Sequence, residues 1–312
     1  MNESVLSFKD KYFGDKNFYK MTLTIAIPII IQNLLTNLVS MADNIMVGQL
    51  GTNQMSGVAI INQLFFVFNL LVFGGMSGAG LFSAQYFGQK NHNGVRDVFR
   101  MKILIGITII AISLSVMIFL HEPLINMFLH EGSSSGNIQE TFNYAKNYLY
   151  IMVIGIAPFV ISNCYNTTLK ESGQTVVPMK AGVLAVVFDI VLNYIFIFGK
   201  LGFPAMGVVG AAIATVISRF VECGYLVIYT HIHSNDYPFI KHCYRTLKVP
   251  GSLVKKIIVT GAPLMLNEFL WAGGLTLQTQ ALSTKGLATV GGLMEIFLIV
   301  FLLQWEQLLL LL

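Results

Sequence analysis

Long apolar runs separated by short polar stretches dominate this chain, and period-two alternation is weak. A helix needs about 20 mostly apolar residues to cross a bilayer. On that rule eight spans are expected, at roughly 23–46, 55–80, 99–120, 143–165, 179–198, 207–230, 257–282 and 288–312. The first is the most polar, holding Gln32, Asn33, Asn37 and Asp43, and Glu295 and Glu306 interrupt the eighth. The runs are too long and too unalternating for a transmembrane barrel, so the expected fold class is an all-α membrane protein. Residues 1–20 are polar, and no short apolar core with a small-residue cleavage site precedes the first span. No cleavable signal peptide is expected.

Lys and Arg place the loops. Of the 19, fifteen fall in 1–20, 84–102, 166–180 and 231–256, while Lys146, Lys200 and Lys285 fall in the alternate loops and Arg219 lies within a span. Because cytoplasmic loops carry the excess of Lys and Arg, the N-terminus is expected in the cytoplasm and, with an even number of spans, the C-terminus as well. The stretch 231–256, with Pro238 and Pro250, divides six spans from two and reads as a cytoplasmic linker. Its His231, His233, His242 and Cys243 follow no familiar zinc spacing and read as a solvated loop. The expected organisation is a six-helix N-terminal lobe, 1–230, the linker 231–256, and about two helices of a second lobe, 257–312.

Composition narrows the class. Charged residues are 11% of the 312 and hydrophobic residues 55%, against about 25% charged in an ordinary soluble domain. That is too little charge to cover a water-soluble globule. The net charge is +4 with no single basic patch, so nucleic acid is not an expected partner. Three cysteines cannot form a disulfide framework. No Gly-rich phosphate loop in a strand context, HExxH or nucleophile elbow appears, so an enzyme is not expected.

The chain also repeats. Shifted by 235 residues, Pro28 falls on Pro263, Gln32-Asn33 on Asn267-Glu268, Gly51 on Gly286 and Gly57 on Gly292. Six spans separate the copies, so they share one orientation, as in transporters whose halves are related by an axis along the membrane normal. The second copy stops after two of six spans, and a complete one would bring the chain to about 450 residues.

Ionisable groups inside a bilayer are expensive and are functional candidates by default. Asp43 sits in the outer part of span one. Asp189 lies mid-span in span five with Asn193 four residues on, hence on the same face. Ala211 and Thr215 occupy the outer half of span six. Counted from the helix ends these groups lie at similar depths and can converge. Two carboxylates near each other in low dielectric raise one another's proton affinity, so the pair can hold H⁺ or accept Na⁺. The alternatives remain open: Asp43 as an interfacial helix-end residue and Asp189 as a structural interhelical hydrogen-bond partner. Gln32, Asn33 and Glu268 would line a cavity, Glu268 on the second lobe. Pro28 removes a helical hydrogen bond and bends span one. Glu222 follows Arg219 by three residues and is expected to pair with it. Phe65, Phe66, Phe68 and Phe73 read as packing or lipid-facing.

At these residues the chain resembles the multidrug and toxic compound extrusion (MATE) family. The matching stretches run from Pro28 through Ala42-Asp43-Asn44-Ile45-Met46-Val47-Gly48-Gln49-Leu50-Gly51, then Gly173-Gln174-Thr175 to Pro178, Asp189 to Gly199, Gly207 to Ser218 and Pro263 to Trp271. The resemblance covers about residues 15–280 and fades after Gly292. It implies two six-helix lobes in the cell membrane, and export of small cationic or amphipathic compounds in exchange for H⁺ or Na⁺, with no other cofactor. By resemblance Asp43 is the span-one aspartate and Pro28 the bending proline. Thr215 is the span-six ion-site threonine with Ala211 supplying a carbonyl, and Glu268 is the second-lobe acid. Many members carry Asn and then Asp in span five, whereas here the order is Asp189 then Asn193. Possible Na⁺ ligands are therefore Asp43, Asp189 and Asn193. Two other readings stand beside the exporter: a truncated, non-transporting fragment or half-transporter, and a lipid-linked saccharide flippase of related fold. The expected partners are the small-molecule substrate and membrane lipid, and the oligomeric state is open.

Overall fold

A backbone that crosses lipid must satisfy its own N–H and C=O groups, and a helix does so within one segment. In the computed structural model, which describes residues 15–129 and 137–263, the apolar runs are helices and no strand occurs among the described residues. All of these residues belong to the first of two compact units into which the chain divides, Met1–Leu266. Span eight and most of span seven lie outside the described residues.

The helices are α1 (Lys16–Gly48), α2 (Thr52–Gly88), α3 (His92–Phe119), the short α4 (His121–Asn126), α5 (Ile138–Ile154), α6 (Ile156–Glu171), α7 (Val176–Phe198) and α8 (Val208–Ile232). Two single turns follow, Pro238–Ile240 and Cys243–Arg245, and then a helix, α9, over 251–263. Five of these are long and apolar enough to cross a membrane, and α5 with α6 makes a sixth, bent crossing. The six expected N-terminal spans are all present and extend beyond their apolar cores. At 33 residues α1 is about 50 Å long, well over the ~30 Å hydrocarbon thickness.

Local chemistry sets the boundaries. Asp15 caps α1 by accepting from the Phe18 N–H at 2.7 Å. Gly199, at φ +66°, ends α7 in a left-handed cap, a conformation that glycine adopts without steric cost. The fourth expected span, 143–165, is two helices that meet at Gly155 with a 48° bend. Pro158 has no N–H for the carbonyl four residues back, and its ring crowds that carbonyl, so α5 ends at Ile154. Pro28 removes the equivalent bond in α1, yet α1 continues through it.

Core side chains come from every crossing of the lobe, with Ile61, Phe65, Phe68, Leu149, Ile156, Ala212 and Leu226 among the buried members. Phe65 and Phe68 thus pack inside, whereas Phe73 is half exposed. α7 runs between α1 and α8 and packs along both. At Gly210 the backbones of α7 and α8 come so close that a Cβ would sit 2.7 Å from the Phe196 carbonyl carbon.

Two polar regions depart from the sequence expectation. Lys102, expected with the loop charges, is fully buried: its ammonium donates to Glu171 at 2.6 Å and to Thr167 at 2.9 Å. With Thr168, 3.3 Å from the same ammonium, four charged or hydroxyl groups thereby satisfy one another between α3 and α6. The linker is docked rather than simply solvated. Arg96 donates to the Pro238 carbonyl at 3.1 Å, and Arg100 to the Cys243 and His242 carbonyls at 2.9 and 3.0 Å. Between its charges the linker carries Tyr237, Phe239, Ile240 and Cys243, all buried. Phe239 packs edge-on against Phe99, and His231 stacks on Tyr244.

Candidate functional site: a carboxylate pair between three helices

Three helices each bring polar groups to one point inside the lobe. α1 contributes Asp43. α7 contributes Asp189 and Asn193, one turn apart and facing the same way. α8 contributes Thr215 and Ser218, which share a face at i, i+3 spacing. Asn193 sits at the junction: its Nδ2 donates to Asp43 Oδ1 at 2.7 Å and to Asp189 Oδ2 at 3.3 Å. The Ser218 hydroxyl lies 3.1 Å from Asp189 Oδ1 and 2.8 Å from the Thr215 carbonyl, so its single proton serves one of them at a time. Thr215 of α8 and Tyr148, a buried residue of α5, are neighbours of Asp189. Asp189 and Asn193 are 4% and 1% exposed, which removes them from lipid and from bulk solvent alike.

This arrangement has a chemical consequence. An amide with two donors spends them on two carboxylates, and an ionised carboxylate can only accept. The remaining Asn193 oxygen is buried with no hydrogen-bond partner. Acceptors therefore outnumber donors in a buried cluster. Leaving such groups unsatisfied costs ~1–3 kcal/mol each, and a bound proton or a cation coordinated by oxygens removes the deficit. The oxygens at hand are the Asp43 and Asp189 carboxylates, the Asn193 amide oxygen and the hydroxyls of Thr215 and Ser218, a hard-ligand set.

The other expected residues are distributed differently. Ala211 lies one turn before Thr215 in the apolar core. Gln32 is buried against Gly182 of α7, 3.2 Å from where a Cβ would stand, and its Oε1 has no partner. Asn33 is exposed on α1, and Pro28 is buried within it. Glu268 lies outside the described residues.

Ser218, Tyr148 and Arg219 were not anticipated as members of the cluster. Ser218 was legible, three residues after Thr215 on a helix. Tyr148 was not, because only the packing of α5 against α8 brings it there. The expected pairing of Arg219 with Glu222 is absent from the ion pairs of the described residues. The guanidinium instead lies between the rings of Phe159 and Phe65, 5.1 and 5.3 Å from their centres. Arg219 and Glu222 still interact electrostatically, but the aromatic slot, not the neighbouring turn, sets the arginine's position.

Known proteins share the sequence pattern and the fold of this lobe. The MatE family profile matches residues 28–195. A probable multidrug resistance protein NorM of Thermotoga maritima is 30% identical over 273 residues, covering 88% of this chain and 56% of the relative. The probable multidrug resistance protein YoeA of Bacillus subtilis is 28% identical over 253 residues, covering 78% and 51%. Among solved structures, a multidrug resistance MATE family transporter in its outward-facing conformation superposes with a TM-score of 0.70 at 25% identity, over 84% of this chain and 55% of the other. A MATE structure in the bent conformation gives 0.71 at 26% identity, over 85% and 56%. The chain spans about half the length of the curated relatives it matches.

Proposed function

Because the chain belongs to the MatE family, a family of multi-pass membrane transporters, we propose that it forms the ion-coupling lobe of a secondary antiporter. In this reading H⁺ or Na⁺ binds between Asp43, Asp189 and Asn193, and its inward movement drives export of small cationic or amphipathic compounds across the cell membrane. The N-terminus lies in the cytoplasm, as the distribution of Lys and Arg suggests. Residues 257–312 begin the second lobe, to which Glu268 would contribute.

The single observation that carries the proposal is the sharing of one amide donor, Asn193, between carboxylates on two helices, with the amide oxygen left buried and unpartnered. Asp189 and Asn193 ride on α7, which is held on both sides. Asp43 rides on α1, whose membrane-crossing stretch is the least buried of the lobe's long helices. Loading a cation between them changes what holds α1 to α7 at that depth. Pro28, having no bond to the carbonyl one turn earlier, gives α1 a place to bend in response. A ligand shifts such an equilibrium only by its differential affinity for the two states. The site supplies that difference, because Asp43 stays beside Asp189 only in one of them.

The test is dye extrusion. Cells lacking their own exporters are loaded with a fluorescent cation, and efflux driven by an imposed H⁺ or Na⁺ gradient is followed with the wild-type gene and with Asp43→Asn and Asp189→Asn. The expected result is gradient-dependent efflux that both substitutions abolish at equal protein level. Efflux unchanged in Asp43→Asn removes the assignment of the site, and no efflux from the accumulated wild-type chain removes transport by this chain.

A further inference from the structure

Two converging carboxylates flanked by amide and hydroxyl oxygens are also what hard divalent cations bind. The lobe sets a permanent positive charge on the Asp189 side of this pair. Arg219 follows Ser218, whose hydroxyl faces Asp189, and its guanidinium interacts electrostatically with Asp189, Tyr148 and Glu222. An arginine in a protein does not lose its proton, so this charge is always present. It is also fixed in place. Phe65 and Phe159 hold the guanidinium plane on two helices. Gly155 leaves just enough room, since a Cβ there would lie 3.1 Å from Arg219 Cδ and 3.3 Å from Nη1. Nη1 is buried with no hydrogen-bond partner, so the charge is not absorbed by a close ion pair.

The neighbouring charges complete the count. Glu222, on the far side of Arg219 along α8, interacts with Lys170 at the end of α6 as well as with Arg219. Lys170, Glu222, Arg219 and Asp189 thus alternate in sign, and among the described residues Asp43 is the one further charge at the cluster. With Tyr148 neutral, the set carries a single net negative charge. One monovalent cation makes it neutral. A divalent cation would leave an uncompensated positive charge in a buried place, which is strongly unfavourable.

We propose that Arg219 sets the charge of the carboxylate site and thereby restricts it to one monovalent cation, H⁺ or Na⁺, excluding Ca²⁺ and Mn²⁺. The inference rests on the reading of Asp43, Asp189 and Asn193 as a cation site. Arg219 is a specificity-determining residue that acts through charge, and no contact between it and the cation is needed. Replacing it by an uncharged residue turns the site into a two-carboxylate, net dianionic one of the kind that divalent ions prefer.

The experiment is thermal unfolding of the purified full 312-residue chain in detergent, at constant ionic strength, with Na⁺, Ca²⁺ or Mn²⁺ as the varied cation and with pH varied separately. Binding to the folded form raises the midpoint. The wild type is expected to respond to Na⁺ or to acidification and not to millimolar Ca²⁺ or Mn²⁺. Arg219→Gln is expected to gain a clear rise with Ca²⁺ and Mn²⁺ that the further substitution Asp43→Asn removes, while Arg219→Lys keeps the wild-type pattern. The double variant Asp189→Asn/Arg219→Gln restores the net charge and is expected to lose the divalent response again. Should Arg219→Gln fail to fold, the double variant decides: folded with wild-type selectivity, it supports charge pairing, and equally unfolded it shows a packing role and overturns the proposal. A folded Arg219→Gln that ignores divalent ions also overturns it. A wild type that ignores both Na⁺ and pH overturns instead the cation-site reading beneath it.

Discussion

Asn193 donates to Asp43 across 2.7 Å, tying α7 to α1 through residues 150 apart in sequence. The same amide also serves Asp189, so Asn193→Leu, close in volume, leaves the buried Asp189 and the part-buried Asp43 without their shared donor. The expected loss is about 1–3 kcal/mol of stability at neutral pH. Because protonated carboxyls no longer need that donor, the deficit should shrink on acidification. Denaturant or thermal unfolding of the purified chain at two pH values measures both. A stability deficit that stays constant with pH would mean that Asn193 acts through packing alone.

The pair of Lys102 and Glu171 offers a separate stability test. Lys102 is fully buried and Glu171 largely so, with the ammonium also reaching Thr167 and Thr168. Lys102→Met removes one partner and leaves a buried carboxylate uncompensated, at a cost of about 3–5 kcal/mol. Removing both, in Lys102→Met/Glu171→Leu, should recover most of that loss, since an apolar replacement of a buried pair is often neutral or better. A double-mutant cycle reads the coupling directly. Additive losses would show that the two side chains do not act as a unit.

These two clusters also show what could be read before folding. Six crossings and the convergence of Asp43, Asp189, Asn193 and Thr215 follow from apolar run lengths and from counting depth along helices, because a membrane forces every span into one geometry. The bend at Gly155 was also written in the chain, as Pro158 three residues on. Arg219 was misplaced for a physical reason. The i, i+3 rule sees only the arginine's own helix, whereas Phe65 and Phe159, which hold its guanidinium, come from α2 and α6. Lys102 was counted among loop charges because its partners stand 65 to 69 residues away. Likewise the linker's apolar residues gave no sign of their docking site until Arg96 and Arg100 on α3 were seen to grip its carbonyls.

The close approach of α7 and α8 predicts a sharp difference between two glycines of one helix. A Cβ at Gly210 would meet backbone atoms of Phe196 at 2.7 Å, while a Cβ at Gly224 would meet nothing within 4 Å. Gly210→Ala must push α7 from α8 about two helical turns from where Ser218 meets Asp189, and should cost about 1–3 kcal/mol. Gly224→Ala should be neutral or slightly stabilising, since alanine favours the helix by up to about 1 kcal/mol. Thermal midpoints of the two variants, measured side by side, test the contact. Equal midpoints would show that α7 and α8 can part at no cost.

Docking of the linker predicts the reactivity of one thiol. Cys243 is buried, and Arg100 holds its carbonyl and that of His242. Burial pushes the Cys243 thiol up to about 11, from an ordinary value of 9.0. The docked thiol thus keeps its proton where a freed one ionises, so docking should weaken as pH rises from 9.0 towards about 11, by about 1.4 kcal/mol per unit. Maleimide, which reacts with the thiolate, should therefore label Cys243 slowly in the wild type at mildly alkaline pH. Arg100→Ala removes two charge-assisted bonds, each worth roughly 1.5–3 kcal/mol. The linker should open more often, and labelling of Cys243 should accelerate by about tenfold or more. Peptide mass mapping distinguishes this site from Cys223 on α8, whose rate should not change, because the α8 residue stacked on the linker, His231, lies about two turns further along the helix. Acceleration at both cysteines would point to general unfolding, and at neither, to a linker held by its buried Phe239 and Ile240 rather than by the arginine.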